Sequence, residues 1–233
     1  MERVTADHEA DKVLIQRFSF WARFQHASAV MLFGLLVLTG MPQKWPSLEV
    51  SQWAVNVLGG LMVVRWLHRA AGLGFALLLV SHLSVVIAGV ITGRMRPTML
   101  LSRRDFQDAI DNLRYYIGYT DHPPRFGRYD YRQKFEYWGL VFGAFIMVAT
   151  GFILYFPIVV SRVLPAELIP AAKLMHSYEA LFAMLIVIVW HITGALLSPE
   201  SFPMDTTIFT GRIRKDKLRH EHALEYEDLF DQP

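Results

Sequence analysis

Long apolar runs alternate with polar connections along this chain, and four of the runs are long enough to cross a bilayer, which takes about 20 predominantly apolar residues in a helix. The first extends from about Phe24 to Met41 and stops at Pro42. The second extends from Ala70 to Thr92 and stops at Gly93-Arg94, the third from Tyr137 to Val160, and the fourth from Leu174 to Leu197, before Ser198-Pro199. Breakers and charges at these ends are the signals that close a helix. Val55 to Val64 is apolar but too short to span, and Trp45, Trp53 and Trp66 flank it. Tryptophan favours the membrane–water interface. Two readings fit this stretch: a short interfacial helix, or a second span that begins near Val55 and protrudes. The pattern predicts an all-α integral membrane four-helix bundle over residues 24–197 with an additional short interfacial helix. Polar tails, 1–23 and 198–233, flank it.

Charge orients this arrangement. The N-terminal tail carries 4 Lys or Arg, the segment between the second and third spans 9, and the C-terminal tail 5, against 3 and 2 in the other two connections. Positive charge collects on the cytoplasmic side, so both tails and the long connection are expected in the cytoplasm of a bacterial cell, with the protein in the inner membrane. The N-terminal residues lack the basic-then-apolar layout of a secretory signal. A net charge of +2 says nothing about nucleic acid by itself, and none is expected as a partner. The partners expected from the runs themselves are membrane lipids. The C-terminal segment from Arg212 to Phe230, with Glu225-Tyr226-Glu227-Asp228, reads as a solvated tail able to dock on a partner.

The chain has no cysteine. That removes thiolate-held iron–sulfur clusters, covalent c-type haem and cysteine nucleophiles. Histidine is the remaining ligand type, and its placement is informative. The second span carries His68 and His82, the fourth His176 and His191, and the first His26. Separations of 14 and 15 residues correspond to roughly 21–22 Å along a helix axis and return to within roughly 40–60° of one face. With the spans antiparallel, His68 and His176 share the outer level. His191 shares the inner level with either His26 or His82. Paired imidazoles at two depths suit two bis-histidine haems, and buried ionisable groups in spans are usually functional. Gly34, Gly72, Gly143 and Gly194 offer room for a porphyrin. The His220-x-His222 pair lies in the C-terminal tail and reads as solvated, and His8 and His122 fall outside the spans too. Glu179, one turn from His176, reads either as an influence on the outer site or as a contact to the second span. Arg94 and Arg96 read as positive-inside charges or propionate partners, and Tyr129, Tyr131 and Tyr137 as interfacial anchors. Two other readings use the same residues: a non-redox anchor, or a transporter working through buried histidines.

Several segments taken together resemble the cytochrome b subunits of membrane-bound formate dehydrogenases, nickel–iron hydrogenases and thiosulfate reductases. They are Arg23-Phe-Gln-His26 with Leu38-Thr-Gly40, Trp66-Leu-His68-Arg69, Gly127 to Trp138, Thr150-Gly151, and His176-Ser-Tyr-Glu-Ala180 through His191. The resemblance covers nearly the whole chain. It implies two b haems, held by His68 with His176 and by His26 with His191. It also implies electron transfer between membrane quinone or menaquinone and a periplasmic iron–sulfur or multihaem cytochrome c subunit. This sequence departs from that pattern twice. The fourth-span spacing is one residue longer than in the formate dehydrogenase subunit. His82 has no counterpart there and stands where the bc-type cytochromes b place a second ligand, which keeps a His82–His191 pairing open.

Overall fold

The computed structural model describes residues 13–197 and 202–231. His8 lies outside them. In chain order the elements are β1 (Leu14–Gln16), α1 (Phe20–Lys44), α2 (Glu49–Val57), α3 (Leu61–Ile91), α4 (Arg103–Tyr116), α5 (Tyr131–Tyr155), α6 (Pro157–Val163), α7 (Leu168–Leu197), α8 (Thr207–Thr210), β2 (Arg212–Arg214), α9 (Lys215–Glu221) and α10 (Ala223–Phe230). Four of these, α1, α3, α5 and α7, are long and apolar enough to cross a membrane, with 25, 31, 25 and 30 residues. The all-α membrane bundle expected from the hydropathy pattern is the architecture observed.

The spans are longer than the apolar runs, and the reasons are local. Pro42 does not stop α1, which continues to Lys44 with Pro42 inside it. A proline this close to a C-terminus costs one backbone bond, and Gln43 Nε2 donates to the Thr39 carbonyl oxygen at 2.9 Å nearby. α3 begins at Leu61 rather than Ala70, so it includes Arg65 and Arg69. Arginine stems lie along apolar surface while the head reaches outward, and the Arg69 guanidinium sits 5.2 Å from the Tyr155 ring centroid. Each of the two readings of the Trp-flanked stretch is partly met. A separate short helix does exist, α2, but it ends at Val57, and α3 starts four residues later. Gly59 and Gly60, at φ +93° and +97°, occupy a region that side chains with a Cβ rarely adopt. The Gly60 N–H donates to the Val55 carbonyl at 2.8 Å, closing the helix end in the 6→1 manner of a Schellman turn. α5 ends at Tyr155, short of the expected Val160, because Pro157 cannot continue the ladder and opens α6 instead.

The chain divides into two compact units. One comprises residues 24–88 and 140–205; the other comprises 1–23, 89–139 and 206–233. The second unit overturns the expectation of solvated tails. β1 and β2 pair antiparallel with Ile15 opposite Ile213. Ile213 and Leu218 are among the most buried side chains of the protein, each worth about 1.5–3 kcal/mol of transfer free energy. Glu225 is buried too, and accepts from Arg128 Nη1 at 2.7 Å while facing Arg17 Nη2 at 3.3 Å. His222, expected in solvent, is buried with Nδ1 2.8 Å from the Gly127 carbonyl oxygen. A tail this charged is held because its acids meet arginines distant in sequence, a match that local composition does not reveal. Arg96 faces Asp228 across 3.8 Å on the exposed surface of the same unit.

Candidate functional site

The unit formed by residues 24–88 and 140–205 brings four of the five intramembrane histidines into two pairs. The His68 and His176 rings, from α3 and α7, have centroids 6.3 Å apart with planes at 78°. The His26 and His191 rings, from α1 and α7, have centroids 6.2 Å apart with planes at 41°. Two imidazole nitrogens bound at about 2 Å to opposite sides of one metal ion set their ring centroids roughly 6 Å apart. Direct hydrogen bonding between two imidazoles would need a closer approach. Both pairs stand at a separation at which two imidazoles could share one metal ion. Among the described residues there is no cluster of three or more His, Cys, Asp or Glu able to hold a metal ion without such a ring.

The orientation of one pair is set by threonines. The Thr39 hydroxyl on α1 donates to the Leu35 carbonyl oxygen four residues back, at 2.6 Å, the usual arrangement for a threonine within a helix. Its hydrogen is committed there, so Oγ1, 2.9 Å from His68 Nδ1, accepts from the Nδ1–H. Thr150 on α5 repeats the device: its hydroxyl donates to the Ile146 carbonyl at 2.6 Å, and Oγ1 lies 2.9 Å from His176 Nδ1. An imidazole that donates through Nδ1 keeps the Nε2 lone pair available as a metal ligand. Both threonines are buried, so solvent does not compete for these bonds.

A glycine follows each threonine. A Cβ on Gly40 would lie 3.1 Å from His68 Cε1, and one on Gly151 would lie 3.4 Å from His176 Cε1. The ring edges thus pack directly on backbone, and the Thr-Gly step is used twice, once on the spanning helix before the one that carries each histidine. The repetition was visible in the sequence as Thr39-Gly40 and Thr150-Gly151, but its role was not, since threonine is common in spans. Of the glycines expected to make room, Gly34 and Gly194 have open space where a Cβ would be. Gly72 packs on Leu36, and Gly143 lies against the Glu179 carboxylate. Glu179 therefore packs against α5, a contact that neither reading of this residue anticipated.

α7 is not a plain α-helix. Residues Val187–Ile192 form a π-helical turn that contains His191. A turn closed from i to i+5 holds one residue more than an α-turn. The 15-residue interval from His176 to His191 therefore presents the faces that about 14 α-helical residues would present. The extra residue noted in the sequence is absorbed at the turn where it is needed, and such turns recur at functional sites. The His82 Nδ1 is 3.2 Å from Oε1 of Gln25, the residue before His26. Gln25 Nε2 is buried and has no hydrogen-bond partner among the described residues.

A protein-family model described as prokaryotic cytochrome b561 matches residues 17–202 of this chain. That stretch contains both histidine pairs, both Thr-Gly steps and all four spans. No curated protein matches the chain.

Proposed function

Because the chain belongs to the prokaryotic cytochrome b561 family, a family of membrane proteins that transfer electrons through b haems, we propose that it holds two such haems and links the membrane quinone pool to a redox partner outside the membrane. The observation that carries this reading is the pair of imidazole pairs at 6.2 and 6.3 Å on spanning helices. A b haem supplies a one-electron iron couple whose potential the protein sets through its axial ligands, their hydrogen bonds and the local dielectric. In this reading His68 and His176 hold one haem and His26 and His191 the other. The anchor and transporter readings give no reason for two pairs at metal-bridging distance.

The positive-inside balance assigns the His68–His176 pair to the periplasmic level and the termini to the cytoplasm of an inner-membrane protein. An iron–sulfur or multihaem cytochrome c subunit then exchanges electrons at the periplasmic level. Quinone or menaquinone reacts near the other pair, where His82 and Gln25 offer polar groups to a carbonyl oxygen beside His26. Protein reduced in lipid nanodiscs and mixed with a naphthoquinone is expected to lose its reduced b absorbance within the mixing experiment. Gln25→Leu is expected to slow that phase by about tenfold, the loss of one hydrogen bond of roughly 1.4 kcal/mol. Absorbance that persists in the presence of quinone would remove the quinone from this account.

The threonines give a separate expectation. An acceptor on Nδ1–H makes an imidazole more basic and favours the oxidised metal. Thr39→Val keeps the shape and removes the acceptor. A bond worth about 1 kcal/mol corresponds to about 40 mV for one electron, so the haem held by His68 should titrate higher by that order. Thr39→Ser should leave the midpoint where it was. Equal midpoints for Thr39→Val and the native protein would mean that the hydroxyl does not act on the ligand.

A further inference from the structure

α4 has its faces reversed. Asp105 and Asn112 are each 3% exposed and carry the helix's contacts to its own unit. Asp105 accepts from Lys134 Nζ at 2.7 Å and from the Ser102 N–H at 2.6 Å, and Asn112 Nδ2 donates to the Tyr131 hydroxyl at 3.0 Å. Phe106, Ile110 and Leu113 recur at i, i+4 and i+7, with Ile117 at the C-terminal cap one turn further, so the four form one stripe. They are 54%, 53%, 60% and 63% exposed. Removing such side chains from water is favourable. A stripe of four is therefore a surface with something to cover it.

We propose that α4 lies in the headgroup region of the bilayer with this stripe inserted, so that the segment between the second and third spans is a membrane-surface element. Three observations favour lipid over another protein. The stripe continues onto a spanning helix: the Phe106 ring is 5.6 Å from that of Phe135, which is itself exposed in the first turns of α5. Arg103 and Arg114 border the stripe on one edge, while Asp108 and Asp111 lie farther round the helix, away from it, by the 100° step of an α-helix. That is the layout of an interfacial amphipathic helix, whose cations meet anionic headgroups as its apolar face enters the acyl boundary. Finally, α4 stands in the chain between two spanning helices, joined to them through residues 92–102 and 118–130.

The absence of cysteine makes the test direct. Phe106→Cys, Ile110→Cys and Leu113→Cys, with Arg104→Cys and Gln107→Cys on the other faces, are spin-labelled one at a time in the full chain in nanodiscs of phosphatidylethanolamine and phosphatidylglycerol. All five positions are exposed; the label at 106 also gives up the ring contact to Phe135, so 110 and 113 decide the test. Oxygen, which partitions into acyl chains, should relax labels at 106, 110 and 113 several-fold more than a water-soluble nickel chelate does, with the order reversed at 104 and 107. If the nickel chelate reaches 110 and 113 as freely as 104, the stripe faces water and the proposal fails. If both reagents are excluded there, a second copy or a peripheral protein covers the stripe, and the proposal fails equally.

Discussion

His176→Ala protein, purified from membranes, is expected to carry one b haem per chain where the native protein is expected to carry two. His176 and His68 face each other at 6.3 Å between ring centroids, and each ring is fixed through Nδ1 by a buried threonine. Removing one imidazole leaves a pair with a single donor, and in a mostly apolar span no other described His or Cys stands ready to replace it. The His26–His191 pair belongs to other turns of α1 and α7, 15 residues away along α7 (roughly 22 Å), and should keep its ligand. The expected outcome is therefore loss of about half the haem with a normal spectrum for the remainder, measured as pyridine haemochrome per chain. Unchanged haem content would show that the pair does not ligate iron.

The second large effect separates two histidines that the sequence could not separate. His26→Ala is expected to lose one haem, whereas His82→Ala should retain both. The reason is geometric. The His26 ring lies 6.2 Å from the His191 ring, while His82 Nδ1 lies 3.2 Å from the Gln25 amide oxygen. His82→Ala is expected instead to slow quinone-dependent reoxidation, since it removes a polar group beside His26. Haem loss in His82→Ala with retention in His26→Ala would reverse the pairing to His82–His191 and leave His26 as the residue facing quinone.

The spans were legible because a bilayer needs unbroken apolar length and every run supplied it. Their ends were not, because charges such as Arg65, Arg69 and Lys173 read as boundaries although their stems accompany helix into the interface. The pairing of His68 with His176 followed from spacing and antiparallel order. The choice between His26 and His82 did not, since both occupy the same level. It turns on which face each helix presents, and the π-turn at Val187–Ile192 resets that face on α7 by one residue. Nothing in a single sequence marks such a turn. Thr39 and Thr150 were seen only as parts of a resemblance, because a hydroxyl's role depends on what sits 2.9 Å away on another helix. The charged C-terminal segment was misread for a related reason: Glu225 is buried by Arg17 and Arg128, at separations that no local window spans. The reversed faces of α4 lie between these cases, since the stripe is periodic in the sequence but its exposure is not.

The most direct test of the central claim is a reduced-minus-oxidised spectrum of the purified protein with pyridine haemochrome quantitation against chain concentration. Two b haems per chain, falling to one in His176→Ala and in His26→Ala, is the result the two imidazole pairs predict. One haem or none in well-folded native protein would contradict it.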